Sequence, residues 1–292
     1  MVEDAGPRVG RIPAMSWTDL GAQFCFVLGF GVLFALAFVP PAPVGKPFYR
    51  MMAGTAALSL GVGTSLPPLA ETRAWGDPDL ILGWVSTAAA LSCMRQPLGK
   101  SWWVGLSAAL AAAGYATSLT VPVGVLQATA LTTGVVAGSV GLAMVLGHWY
   151  LTVPKLKVEH LIRLNNVCKW CMAASLVLVA LTCLVYKEQI IAADARPLFG
   201  PWGWFFLGTR LTVGLVLPMV FAYMVDGSLK LGNTRSATGI LYASTVLVLI
   251  GAAISISTSR FRTTRSGAWS RISCGPISPS ASMNWPLEAW SR

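Results

Sequence analysis

The chain predicts an all-α fold, a polytopic bundle of about eight transmembrane helices, and three observations predict it. Hydrophobic residues make up 55% of the 292 residues and charged residues only 11%, whereas soluble domains carry about 25% charged residues. Most of the apolar residues fall into stretches near the roughly 20 residues that span the ~30 Å of membrane hydrocarbon. These uncharged runs favour helices, because barrel strands are only about 10 residues long and alternate in polarity.

The predicted spans cover, in chain order, residues 17–39, 51–70, 80–94, 102–121, 126–153, 164–186, 201–225 and 236–257. The polar segment 1–16 lacks a basic region before a short apolar stretch, so the first span is expected to be retained rather than cleaved. The third span is the shortest, at about 22 Å, and is therefore the weakest candidate for a membrane crossing. Small residues in the fourth span, and the Gly134-x-x-x-Gly138 pattern in the fifth, predict close helix packing within the chain.

The distribution of charge predicts the orientation of the bundle. The net charge of +10 is not taken as nucleic-acid binding, because basic residues of membrane proteins collect in cytoplasmic loops. The odd-numbered loops are basic, with Lys155 and Lys157 as examples, and the even-numbered loops are slightly acidic. We therefore expect an inner (plasma) membrane protein with both termini outside. In this count Asp226 belongs to the last loop, which leaves Asp19 as the only acid within a span.

Segment 258–292 departs from this pattern, because it is basic and rich in Ser, Arg and Trp and has no helical periodicity. One interpretation is a disordered tail. A second is a reading frame that is not native past roughly Ala252. A third is a miscounted span, which would place the tail in the cytoplasm. No function is assigned to this segment under any of the three.

The end of the fifth span and the start of the sixth carry the richest set of polar side chains. His148 lies about 8 Å inside the end of its span, next to Tyr150, and Lys169 lies about 9 Å deeper than Arg163. His148 and Lys169 are therefore expected to meet, with Asn165 nearby, because intramembrane ionisable residues usually face a partner or cavity. The alternatives are an interfacial aromatic belt and a lysine whose ammonium reaches back to the interface.

Arg210 is the sharpest outlier, because it is predicted near the middle of the seventh span. It lies about 14 Å from Pro201, too deep for its charge to reach the interface easily. One interpretation is a structural arginine bonded to backbone carbonyls. A second is a residue that contacts a ligand, a quinone or a proton path, and a third is that the span itself is misplaced.

Several other chemistries are disfavoured. Cys168 and Cys171 form one CxxC, but no second CxxC accompanies it, so we expect neither a metal site nor thiol catalysis. Haem is not expected, because the two histidines, His148 and His160, lie at the same membrane face. Nucleotide-binding motifs are missing from the sequence, which argues against an ATP-driven pump. No catalytic residue is assigned.

Two short stretches are similar to a known family. Gly21-Ala22-Gln23, followed by an apolar run with glycines, and the closing run at 246–251 resemble the membrane-anchor subunits of dimethyl-sulfoxide and polysulfide (NrfD-like) reductases. The resemblance implies eight helices, a quinone as the reacting molecule, and an iron–sulfur or molybdenum-type partner subunit. This chain has Ala252 and Ala253 where the family pattern has an acid and an arginine.

Three functional hypotheses follow. The first is a quinone-interacting membrane subunit of a respiratory oxidoreductase, in contact with the lipid bilayer and a redox partner. Its candidate ligand-binding residues are His148, Tyr150, Asn165, Lys169 and Arg210. The second is a small-molecule transporter or channel, with a helix break at 65–68 and a cavity for an anionic substrate around Arg210. The third is a non-enzymatic membrane scaffold.

Overall fold

A computed structural model describes residues 16–40, 44–95, 99–119, 121, 124–153, 157–185 and 201–272, with 201–204, 206 and 257–272 described by their backbone alone. The described part of the chain is all-helical. Its first six helices are α1 Trp17–Leu36, α2 Lys46–Leu69, α3 Pro78–Cys93, α4 Lys100–Ser118, α5 Val125–Thr152 and α6 Glu159–Val185. Helix α7, residues 201–230, joins Pro201–Leu211, a π-helical segment Thr212–Val216 and Leu217–Lys230, and α8 is Thr234–Ile272.

Five of the helices are long and apolar enough to cross a membrane. Their candidate spans are Trp17–Leu36, Val125–Thr152, Glu159–Val185, Leu207–Lys230 and Thr234–Ile256. An integral membrane protein of all-α class is therefore compatible with the structure. Helix α3 is shorter, at 16 residues or about 24 Å, and α2 and α4 are less apolar. Eight crossings thus remain a prediction.

The helices form two rings of four. In the first half, α1 packs on α2, α2 on α3, α3 on α4, and α4 returns to α1. The second half repeats this order, because α5 packs on α6, α6 on α7, α7 on α8, and α8 on α5. The two rings meet where α1 crosses α5, so the first helix of each half forms the centre of the molecule.

Glycines make the central crossing close. A Cβ atom added at Gly31 would overlap the carbonyl of Gly134, and one at Gly134 would overlap the backbone of Val27. Gly138 lies against the backbone of Gly31 in the same way. Small residues let helix backbones approach in lipid, where dispersion contacts drive association. The prediction that Gly134 and Gly138 pack within the chain is confirmed.

The ends of several helices differ from the predicted ones. Helix α2 continues through Pro67 and Pro68 and ends at Leu69, so the predicted break at 65–68 is wrong. Two prolines remove two amide donors, but because they lie in the last turn, only two of the helix's final hydrogen bonds are lost and no later turn has to form. Helix α8 continues through 258–272, past the predicted end at 257. Residues 1–15 and 273–292 lie outside the described residues.

Acidic residues near the helix starts have structural roles. Ser16 and Asp19 form a capping box at the start of α1, each side chain bonding to the backbone of the other. Arg73 donates to Asp77 at 2.9 Å and to both carboxylate oxygens of Asp79, at 2.9 and 2.6 Å. Burial by itself would lower the pKa of the Arg73 guanidinium. The nearby carboxylates of Asp79 and Asp77 together have a larger effect, so the pKa is raised. This network fixes the turn between α2 and α3.

Candidate functional site

A polar cluster lies between α6 and α7, where two antiparallel helices each present residues one turn apart. On α6, Asn165 and Lys169 lie on one face of the helix. On α7, the Asp226 side chain lies one turn beyond Ala222, on the same face. Positions four residues apart on a helix are neighbours on its surface. The two pairs therefore meet across the helix interface, where α6 contacts α7.

The carboxylate of Asp226 is bonded at both oxygens. Lys169 Nζ forms an ion pair with Oδ2, and Asn165 Nδ2 donates to Oδ1 at 2.5 Å. The same Nδ2 group donates to the carbonyl of Ala222 at 2.8 Å. Asn165 thus ties the carboxylate to the α7 backbone and holds it in front of the lysine.

The cluster combines a fully buried amide with an ion pair that opens to the surface of the bundle. The side chains of Lys169 and Asp226 are 18% and 20% exposed, while Asn165 is completely buried. Tyr223, 63% exposed, lies beside the pair, with Lys169 Nζ 5.2 Å from its ring centroid. Asn165 Oδ1 is buried and has no hydrogen-bond partner among the described residues. The surface of the site therefore offers a cation and a carboxylate beside an aromatic ring, and the unused acceptor of Asn165 lies buried behind them.

The structure brings only two of the five predicted site residues together. Asn165 and Lys169 belong to the cluster, but His148 does not, because its Nδ1 lies 3.2 Å from Tyr242 Oη on α8. The expected meeting of His148 with Lys169 is therefore wrong: α5 and α7 lie at opposite corners of the second ring, and Lys169 faces α7. Tyr150 Oη donates to the carbonyl of Lys157 in the following loop.

Arg210 forms a separate site nearer the other end of the bundle. It lies in the last turn before the π-helical segment, nearer the middle of α7 than its start. Its Nη2 donates to Thr133 Oγ1 on α5 at 3.3 Å. Both residues line a pocket of about 10 Å³, which is room for about one water molecule.

The sequence predicted that Asp226 lies in a loop, and this prediction is wrong, because the residue lies in a helix. The structure puts it inside the candidate span Leu207–Lys230, so Asp19 is not the only acid within a span. A signal was present in the sequence. Pro218, Ala222, Val225 and Leu229 form the buried stripe of α7, and this helical period continues past the predicted end at 225.

Comparison with known proteins leaves the family of this chain open. No protein-family model, curated protein or solved structure matches it.

Proposed function

We propose that this chain is a quinone-interacting membrane subunit of a respiratory oxidoreductase, and that Asn165, Lys169 and Asp226 form its head-group site. The observation that carries the proposal is the ion pair at the α6–α7 interface, which opens to the surface of the bundle. Ionisable residues within membrane segments are costly and usually functional. A lipophilic quinone reaches such a site sideways from the bilayer, without a water-filled channel.

The chemistry of the site suits reduction of a quinone to a quinol. This conversion takes two electrons, which a redox partner subunit of iron–sulfur type would supply, and two protons. The Lys169 ammonium would stabilise negative charge that develops on a quinone oxygen. Asp226 would take up a proton from water, donate it to the reduced ring, and be protonated again for the second transfer. Asn165 would hold the Asp226 carboxylate in place from behind, and the exposed Tyr223 ring offers a flat surface for stacking.

The proposal is tested with a photoreactive azidoquinone added to membranes that contain the full chain. We expect adducts on the peptides that carry 165–169 and 222–226. The test variant is Lys169→Met combined with Asp226→Leu, because apolar replacement of a whole buried ion pair usually preserves folding. This double variant should fold and lose the adducts.

The matched control is His148→Gln, since His148 contacts Tyr242 and not the cluster. Labelling should be unchanged in this variant. Labelling that persists in the folded double variant would rule out the cluster as the head-group site. Gentle solubilisation adds a second measurement, because an anchor subunit should copurify with a stoichiometric iron–sulfur or molybdenum-type protein.

A transporter of anions is the second candidate, and one observation favours it. The π-helical segment Thr212–Val216 interrupts α7 directly after Arg210, and such interruptions are frequent at functional sites. The pocket beside Arg210, at about 10 Å³, is too small for an organic solute, so transport would require the helices to separate. Uptake of a labelled carboxylate into proteoliposomes that hold this chain alone would favour the transporter over the anchor subunit.

A further inference from the structure

The pocket beside Arg210 differs from an ordinary packing defect in the chemistry of its walls. Besides Arg210, it is lined by the hydroxyl-bearing residues Thr133 on α5 and Ser175 on α6. Ser175 is 1% exposed and Thr133 9% exposed. Cavities that stay dry are apolar, whereas a polar cavity of about 10–15 Å³ or more with two to four polar partners holds a water.

Further hydroxyl groups continue from this pocket towards the end of the bundle where α5 begins. Thr133 Oγ1 donates to the carbonyl of Thr129 at 2.9 Å. One turn further out, Thr129 Oγ1 lies 3.1 Å from Thr182 Oγ1 on α6. These side chains occupy the α5–α6 interface on successive turns, and Thr129 is only 3% exposed.

The α7–α8 side of the pocket includes two glycines in close contact. Gly214, in the π-helical segment, and Gly251 on α8 lie backbone against backbone, so that a Cβ on either would clash. A π turn widens the helix and weakens its regular bonding. The pocket is therefore lined by three polar side chains, by backbone at the two glycines, and by the apolar residues Val136, Leu215, Val248 and Ala252.

We propose that this pocket is a water-binding site, held by Arg210, Thr133 and Ser175, at the inner end of a hydrated inlet along Thr129 and Thr182. The ligand is water, and the inlet opens at the face where α5 begins. Ser175 lies six residues from Lys169 on α6, about 9 Å along the axis. If the proposed quinone site is correct, the inlet would bring protons towards it from the opposite face.

Hydroxyl-radical footprinting with mass spectrometry tests the proposal, because radicals formed from a bound water oxidise the side chains that touch it. The full chain in nanodiscs would carry Ser175→Cys as the reporter. The control is Val177→Cys, at nearly the same depth but 58% exposed on the outer face. We expect several-fold faster oxidation at position 175 than at position 177, and a loss of this difference when Thr133→Val is added.

A second reporter in the same pocket keeps the test valid if the first variant fails to fold. Val136→Cys places a thiol on the α5 wall of the same pocket, and each variant is first checked for a single size-exclusion peak. Equal, background-level oxidation at 136, 175 and 177 in folded protein would show a dry pocket and overturn the proposal. Neither result depends on quinone binding, so this test and the photolabelling test fail independently.

Discussion

At the residue scale, the Lys169–Asp226 ion pair predicts an asymmetric pattern of stability. Removing one partner, as in Lys169→Leu, leaves the other charge in a medium of low dielectric constant and should cost about 3–5 kcal/mol. Replacing both, with Lys169→Met and Asp226→Leu, should restore most of the loss, because no unpaired charge remains. Thermal unfolding in detergent measures the cycle. Additive losses in the double variant would show that the two side chains do not stabilise each other.

Two residues of this cluster could be predicted from the sequence, and the third could not. Lys169 and Asn165 were recognisable, since polar side chains four residues apart within an apolar run predict one polar helix face. Asp226 was not recognised, because charge alone assigned it to a loop, and the true helix end depends on how Leu229 packs. His148 was paired wrongly because depth can be estimated from residue number, whereas which neighbouring helix a side chain faces depends on how its own helix is rotated: Lys169 faces α7 and His148 faces α8.

At the element scale, the glycine crossing of α1 and α5 predicts position-dependent effects within one helix. Gly134→Ala and Gly138→Ala place a methyl group against the α1 backbone and should each destabilise the protein by about 1–3 kcal/mol or more. Gly141→Ala, on the same helix, is the control, because a Cβ there meets no atom within 4 Å. This control should be neutral or slightly stabilising, since alanine favours helix. Equal losses of stability at all three positions would contradict the crossing.

The existence of the helices was more predictable than their ends. Apolar runs located all eight helices of the described residues, because the bilayer requires each span to satisfy its own backbone. The ends were less accurate: Pro67 and Pro68 were expected to break α2, yet the helix includes both. The π-helical segment after Arg210 could not be predicted from local propensity, since it accompanies the close contact of Gly214 with Gly251 on another helix.

At the scale of the whole molecule, the packing of α2 on α1 bears on the number of spans. The two helices are antiparallel and in contact along their lengths: Leu66 packs against Gly21 and Leu60 against Gly29. Tyr49 Oη, near the start of α2, donates to the carbonyl of Val39, just beyond α1. A partner that follows α1 from end to end lies at the same depths, so if α1 crosses the bilayer, α2 is expected to cross as well.

The short α3 is then the helix that decides between eight crossings and fewer. Its 16 residues cover about 24 Å, so it would cross only with local thinning of the bilayer.

Gly76 and Lys100, both exposed and on either side of α3, can be replaced by cysteine and labelled with a membrane-impermeant maleimide in sealed vesicles. We predict opposite sides, with Gly76→Cys outside and Lys100→Cys in the cytoplasm, as the basic odd-numbered loops indicate. Wild-type protein gives the background from native cysteines. Labelling of both positions from one side would mean that α3 does not cross, and the orientation of every later helix would then have to be reassigned.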